Sequence, residues 1–123
     1  MTLERRRLGQ LGERLAADRL ASLGYEIIER NYRCPAGEID LVTRRDGRWV
    51  FVEVRTRRST RFGTPEESVT RRKRAHLIAS AQYYLQAQDA LAADWRIDAV
   101  AIVLAPAGRV LRLDVIENAV TGP

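Results

Sequence analysis

Two acidic residues in this sequence, Asp40 and Glu53, each lie inside an alternating apolar run that predicts a β-strand. The dipeptide Asp46-Gly47 between the runs predicts a two-residue hairpin loop, because both central residues of such a loop must accept positive φ. In that register Arg45 pairs with Arg48, and Asp40 lies opposite Glu53 on the same face. Opposed Cβ atoms are about 4.5–5.5 Å apart, a destabilising distance for like charges.

Something must offset the repulsion between these two carboxylates. A divalent cation would do so by bridging their oxygens, and a shared proton would do so by raising the pKa of one carboxyl group. A third possibility is a structural salt bridge with an arginine such as Arg55. Spacing alone leaves the metal and the structural interpretations level.

The rest of the sequence predicts helices that flank a sheet. We expect a helix over 3–23, strands over 25–32, 38–44 and 48–56, a helix over 70–88, and strands over 96–104 and 109–116. Thr64-Pro65-Glu66-Glu67 predicts a short helical start with a capping box, and Thr70 is the expected cap of the second long helix. The core-facing stripe expected in that helix comprises Ala75, Ile78, Ala79, Gln82 and Leu85. The order α-β-β-β-α-β-β indicates an α/β fold with a mixed sheet.

The acidic pair also belongs to a longer pattern. Asp40, a gap of twelve residues and then Glu53-Val54-Arg55 resembles the D…(D/E)-x-K signature of the PD-(D/E)XK nuclease superfamily. Nearly the whole chain is similar to the YraN family of bacterial proteins, which is itself similar in outline to archaeal Holliday-junction resolvases. The segments that carry this resemblance are Gly12-Glu13, Gly37 to Val42, Phe51 to Arg57 and Phe62 to Glu67.

The resemblance implies one nuclease-like domain over residues 1–123 with a restriction-endonuclease-like core. It also implies a metal-dependent endonuclease that hydrolyses phosphodiester bonds in DNA, either branched or single-stranded. Asp40 and Glu53 would hold Mg²⁺ or Mn²⁺, which lowers the pKa of bound water and stabilises charge on the phosphate. Glu13 matches a helix glutamate that completes the site in resolvase-like members, although an exposed glutamate among arginines is an equal alternative. Glu38 matches the same Gly-Glu-Ile-Asp segment and is either a further metal ligand or, as we expect, the salt-bridge partner of Arg55, which lies opposite it in the predicted register.

Arg55 departs from the nuclease signature, which has lysine at this position. Lysine can lose its proton when buried near a metal, whereas arginine stays charged. Arg55 could therefore orient water or stabilise the phosphate, but it cannot act as a general base. The alternative function is accordingly a non-catalytic nucleic-acid-binding module. Lys73 is the only lysine and is too distant in sequence to be expected as a substitute.

Positive charge is concentrated in about a quarter of the chain. The sequence has 21 Lys and Arg against 16 Asp and Glu, and residues 44–74 contain eleven of the basic residues and four of the acidic ones. Such a segment favours a polyanionic partner, because neutralised phosphates release counterions. We expect DNA, with RNA left open. The predicted contacts are Arg57, Arg58, Arg61, Arg71, Arg72, Lys73, Arg74 and Gln82.

Gln82 is included because, together with Tyr83 and Tyr84, it resembles a helix that touches DNA in some nuclease relatives. Tyr83 itself is expected to pack in the core. A homodimer is suggested only by analogy with resolvases, which cut two strands symmetrically.

The composition of the chain predicts a cytoplasmic protein without a membrane partner. Of its 123 residues 46% are hydrophobic, but the longest apolar run, Ala99 to Ala105, falls well short of the roughly 20 residues that a membrane span needs. The first residues lack the apolar stretch of a secretory signal. Cys34 is the single cysteine, which excludes an internal disulfide and fits a reducing compartment.

Overall fold

The computed structural model describes residues 2–120, which form a five-stranded sheet between two helices. The strands lie in the order β1-β2-β3-β4-β5, and only the neighbours β3 and β4 are parallel. The elements are α1 (Leu3–Ser22), β1 (Glu26–Cys34), β2 (Gly37–Arg45), β3 (Arg48–Arg57), a 3-10 helix (Glu66–Ser68), α2 (Arg71–Ala87), β4 (Trp95–Leu104) and β5 (Val110–Val120). This confirms the predicted α/β fold and its element order. The arrangement is consistent with a restriction-endonuclease-like core.

Each face of the sheet has its own apolar core. On one face α1 buries small and branched side chains, including Ala16 and Leu20, against Val52 and Val100. On the other face the Tyr84 ring of α2 packs edge-on against Tyr32, Trp49 and Phe51, with ring centroids 5.0, 5.4 and 5.7 Å away. Because β3 and β4 are covered on both faces, their sequences read as nearly continuous apolar runs.

Neither helix in the described part of the chain is long and apolar enough to cross a membrane.

The local turn and capping signals are confirmed. Asp46 and Gly47 have φ values of 52° and 76°, as the predicted hairpin requires, and Arg45 pairs with Arg48. The Thr70 hydroxyl accepts a hydrogen bond from the Lys73 N–H at 3.2 Å and so caps α2. These contacts involve residues close in sequence, which is why the sequence alone predicts them.

The expected core stripe of α2 is wrong at several positions. Ala75, Ala79 and Gln82 are exposed, and the Tyr83 side chain is 45% exposed instead of packing in the core. The buried residues are Leu77, Ser80, Ala81, Tyr84 and Leu85. Alanines occur on both sides of this helix, so their spacing does not determine its orientation. The larger Tyr84 and Leu77 bury more apolar area and decide which face meets the sheet.

Helix α1 approaches β3 most closely at Gly12. A Cβ atom at this position would overlap the Thr56 Oγ1 atom and lie 3.0 Å from the Thr56 Cβ atom. Only glycine allows the backbone of α1 to come this close to the Thr56 side chain. The contact fixes the height of the helix above the end of β3, and it therefore fixes the position of the next residue, Glu13.

Substitution of Gly12 tests this close approach. Alanine in a helix interior is normally about 0.5–1 kcal/mol more stable than glycine, yet we expect Gly12→Ala to lower the free energy of unfolding by about 1–3 kcal/mol through overpacking. Gly9→Ala is the matched control, because a Cβ atom at Gly9 meets nothing within 4 Å, and it should stabilise the protein. Urea denaturation measures both variants. Equal stabilities would contradict the proposed constraint.

Candidate functional site

The acidic pair lies where β2 and β3 stop pairing with each other. Their ladder runs from Arg45↔Arg48 to Leu41↔Val52, which confirms the predicted register up to the residues next to Asp40 and Glu53. Beyond that point β2 stays paired with β1 while β3 stays paired with β4. The two strands therefore part at the carboxylates, and a cleft opens between them.

Asp40 connects the two strands at this point. Its Oδ2 atom accepts a hydrogen bond from the Val54 N–H at 2.7 Å, and its side chain is buried, with the residue 8% exposed. A carboxylate thus takes the place that a backbone carbonyl would occupy in a continuing ladder. One oxygen of Asp40 is held in a defined position, beside Glu53.

Glu53 shows the electrostatic cost of this arrangement. Burial raises its pKa well above the ordinary value, and a hydrogen bond with Asp40 and the charge of Asp40 raise the pKa further. The positive charges of Arg55 and Lys73 only partly oppose these effects. Without a cation, burial and the neighbouring charge of Asp40 therefore favour the protonated form of Glu53.

The structural salt-bridge alternative does not account for the acidic pair. Within residues 2–120 no salt bridge joins Asp40 or Glu53 to a basic side chain. The Arg55 Nε atom instead donates a hydrogen bond to Ser68 Oγ at 2.7 Å. The repulsion between the carboxylates is therefore left for a proton or a cation to relieve.

The expected pair of Glu38 and Arg55 is wrong. Glu38 forms a salt bridge with Arg33 of β1, with 3.3 Å between Oε2 and Nε, while Arg55 bonds Ser68. The physical reason is the separation of β2 from β3 beyond Leu41. Glu38 stays with its neighbour in β1 and does not lie opposite Arg55.

Glu13 reaches the same cleft from α1. Burial and, to a smaller extent, the charges of Asp40 and Glu38 together raise its pKa to about 7, while a hydrogen bond with Asn31 opposes this shift. Glu13 is therefore a part of the acidic site and not a solvated glutamate. However, no three His, Cys, Asp or Glu side chains in the described residues are grouped closely enough to hold a metal ion.

The donor set nevertheless fits one class of metal ion. Mg²⁺ commonly binds through one or two carboxylates and keeps several waters, which substrate phosphates can replace. Asp40 and Glu53 supply two such oxygen ligands, and a cation between them would replace the proton that they share. The site thus suits Mg²⁺ or Mn²⁺ better than Zn²⁺, which prefers nitrogen and sulfur ligands.

The cleft has a volume of about 740 Å³ and an acidic floor with a basic rim. Two of the residues predicted to bind nucleic acid, Arg57 and Arg58, line it. Three further arginines that lie outside the predicted basic segment also line the cleft: Arg5, Arg6 and Arg33. The sequence of α1 does contain a signal for Arg5. Arg5, Gly9 and Glu13 are spaced by four residues, so Arg5 lies on the same helix face as Glu13.

The other predicted nucleic-acid contacts lie elsewhere. Arg61 is exposed, and its guanidinium lies 5.4 Å from the centroid of the Phe62 ring. Four further residues are exposed on α2 and do not line the cleft: Arg71, Arg72, Arg74 and Gln82. They extend the basic surface of the protein but do not border the acidic pair.

Lys73 differs from its basic neighbours because it is half-buried and its positive charge interacts with the charges of Asp40 and Glu53. Burial and the nearby Arg55 charge lower the pKa of Lys73, whereas Glu53 and Asp40 raise it. The charge of Lys73 therefore acts on the acidic pair despite the distance in sequence, although the residue does not line the cleft. The first turn of α2 brings the lysine back towards the end of β3.

The shifted pKa of Glu53 predicts a pH dependence of stability. Folding raises this pKa from 4.5, so the stabilising proton is present at acid pH and is lost as the pH rises through the folded-state value. The metal-free protein should therefore become less stable between pH 5 and pH 9. Glu53→Gln should flatten that loss and be more stable at pH 9 by about 1–2 kcal/mol, since one pKa unit corresponds to about 1.4 kcal/mol.

Thermal denaturation in EDTA as a function of pH measures this effect. Mg²⁺ should stabilise the wild-type protein but not Glu53→Gln, because only the wild type offers both carboxylates. Parallel pH profiles for the two proteins would show that Glu53 is not the group responsible.

The sequence as a whole matches a known family. Residues 12–102 match the family described as "Uncharacterised protein family UPF0102". A UPF0102 protein of Moorella thermoacetica is 51% identical over 119 residues, which cover 97% of this chain and 99% of the relative. Another, from Caldicellulosiruptor saccharolyticus, is 41% identical over 117 residues, which cover 95% and 99%. The family assignment predicted from the sequence motifs is thus confirmed: the chain belongs to the UPF0102, or YraN-type, family.

Proposed function

We propose that this protein is a metal-dependent phosphodiesterase that cleaves DNA in the cleft between β2 and β3. The observation that carries the proposal is the convergence of Asp40 and Glu53 at the parting of two buried strands, with no salt bridge to either one among residues 2–120. Two carboxylates that share a proton form a site that a divalent cation can take over. The proposal assigns the activity to the cytoplasm, in keeping with the single Cys34.

Each residue of the cleft has a role in this proposal. Asp40 and Glu53 would hold Mg²⁺ or Mn²⁺, which supplies an activated water and charge stabilisation at the phosphate. Arg55, fixed by its hydrogen bond to Ser68, orients a phosphate oxygen but stays protonated throughout. Glu13, with a pKa of about 7, can accept and release a proton near neutral pH.

The basic rim of the cleft supports a polyanionic substrate. Arginines from three separate segments border the acidic floor, among them Arg5 of α1, Arg33 of β1 and Arg57 of β3. Contacts of this kind to phosphates provide affinity and orientation without reading a sequence. We favour DNA as the substrate because of the family resemblance, and RNA is a direct comparison in the same assay.

Isosteric substitutions of the carboxylates test the proposal. With Mg²⁺ or Mn²⁺, the wild-type protein should nick or cut branched, flapped or single-stranded DNA. Asp40→Asn and Glu53→Gln should each reduce the rate by about 100-fold or more, since each removes a ligand of the catalytic ion. Asp46→Asn is the control, because Asp46 is exposed at the tip of the hairpin. Its backbone has a φ of 52°, and asparagine tolerates this conformation. Cleavage that survives both active-site substitutions would refute the assignment.

One observation favours the second candidate function, a nucleic-acid-binding module without catalysis. Arg55 replaces the expected lysine and is held by Ser68 on the loop side, so the motif position offers no group that can release a proton. Under this alternative the same assay would show salt-dependent binding that persists in Asp40→Asn. No cleavage would occur with either metal.

Lys73 provides a second test of catalysis. In the proposed enzyme its ammonium group, which faces Asp40 and Glu53, stabilises charge that develops on the phosphate. Lys73→Met should therefore slow cleavage by about 10-fold or more. Arg72→Met is the matched control, because Arg72 is an exposed neighbour that is not among the charges lowering the pKa of Glu53, whereas Lys73 is. Equal rates for the two variants would mean that Lys73 acts only through the overall charge.

A further inference from the structure

Phe62 is unusually exposed for a large apolar residue. The residue is 86% exposed, more than any other large hydrophobic residue in the part of the chain that the structure describes. Burial of a phenylalanine side chain normally stabilises a folded protein, and Phe62 does not contribute in this way. Its ring lies in the loop that follows β3, where the residue lines the cleft beside the acidic pair.

The loop holds Phe62 in place without packing its ring. The Gly63 N–H donates to the Thr60 carbonyl at 3.1 Å, and Gly63 has a φ of 111°, which closes a tight turn at the ring. Directly afterwards, the Thr64 hydroxyl donates to Glu67 Oε1 at 2.7 Å and Pro65 is buried. The backbone on the C-terminal side of Phe62 is thus fixed while the side chain stays free.

The surroundings of the ring indicate which partner it suits. Arg61 lies over the ring with its guanidinium 5.4 Å from the centroid, and Arg57 and Arg58 line the same cleft as Phe62. Cations that can bind phosphates therefore surround an aromatic face. An apolar protein surface would leave these charges unpaired. A nucleotide suits both features, because its phosphate can pair with the arginines and its base can stack on the ring.

We propose that Phe62 is a stacking platform for an unpaired nucleobase, so that the cleft selects single-stranded segments over intact duplex. The bases of a duplex present their faces only to one another, whereas those of a single strand, flap or branch are open to an aromatic side chain. The inference rests on the nucleic-acid part of the proposed function. It does not depend on cleavage.

The experiment measures binding in EDTA, where no metal-dependent cleavage takes place. The probes are a single-stranded oligonucleotide that carries one 2-aminopurine and the corresponding blunt duplex. We expect Phe62→Ala to weaken single-strand binding by about 10-fold or more, because a stacked base is worth about 1–3 kcal/mol, and to change duplex binding by less than about 2-fold. Phe62→Trp should retain binding and quench the 2-aminopurine fluorescence.

Two further variants separate stacking from other effects. Phe62→Leu keeps an apolar side chain but has no aromatic face, so it should behave like Phe62→Ala. Leu91→Ala removes another exposed apolar side chain that does not line the cleft, and it should bind like the wild type. Because the Phe62 side chain is so exposed, its variants should keep the thermal stability of the wild type within about 0.5 kcal/mol.

Several outcomes would overturn the inference. These are equal loss of single-strand and duplex binding, full binding by Phe62→Leu, or no binding of either probe by the wild type. A protein that cuts DNA in an Asp40-dependent way but binds without regard to Phe62 would refute the stacking inference alone. Conversely, Phe62-dependent binding without metal-dependent cleavage would confirm it and refute the proposed catalysis.

Discussion

The hydrogen bond from the Val54 N–H to Asp40 Oδ2 is the contact on which the site depends. It joins β2 to β3 just beyond the last backbone pair, Leu41↔Val52. Without such a bond the buried Val54 N–H would lack a partner where the strands part, which costs about 1–3 kcal/mol. A carboxylate can satisfy this donor and still present its second oxygen to the cleft. The same carboxylate thus completes the sheet and forms part of the acidic site.

A second buried acid shows what a purely structural carboxylate looks like in this fold. Asp98 of β4 is fully buried and accepts hydrogen bonds from the Tyr25 hydroxyl at 3.0 Å, from Arg96 Nε at 2.9 Å and from the Asn118 N–H at 2.9 Å. Its charge is thereby compensated by neighbouring donors. Glu53 has an acid for its neighbour instead. The sheet avoids the cost of an uncompensated buried acid at Asp98 but keeps this cost at Glu53. Such a retained cost is typical of a functional site.

The sequence predicts those parts of the structure that depend on neighbouring residues. The Asp46-Gly47 loop sets the hairpin register, and Thr70 sets the start of α2, because each acts on backbone groups a few residues away. The parting of β2 and β3 depends on which other strand each one pairs with, which no local pattern encodes. The error at Glu38 and the unexpected position of Lys73 both follow from this non-local geometry.

Arginine at the motif position also has a consequence for the loop that carries Phe62. The Nε atom of Arg55 donates to Ser68 Oγ at 2.7 Å, and the Ser68 hydroxyl in turn donates to the Pro65 carbonyl. A guanidinium group has several donors in a rigid plane, so it can make this bond and still direct other N–H groups towards the cleft. The ammonium group of a lysine is a single charge on a flexible stem and defines such a link less well. Arg55 therefore connects the end of β3, through Ser68, to Pro65 at the C-terminal end of the loop that carries Phe62.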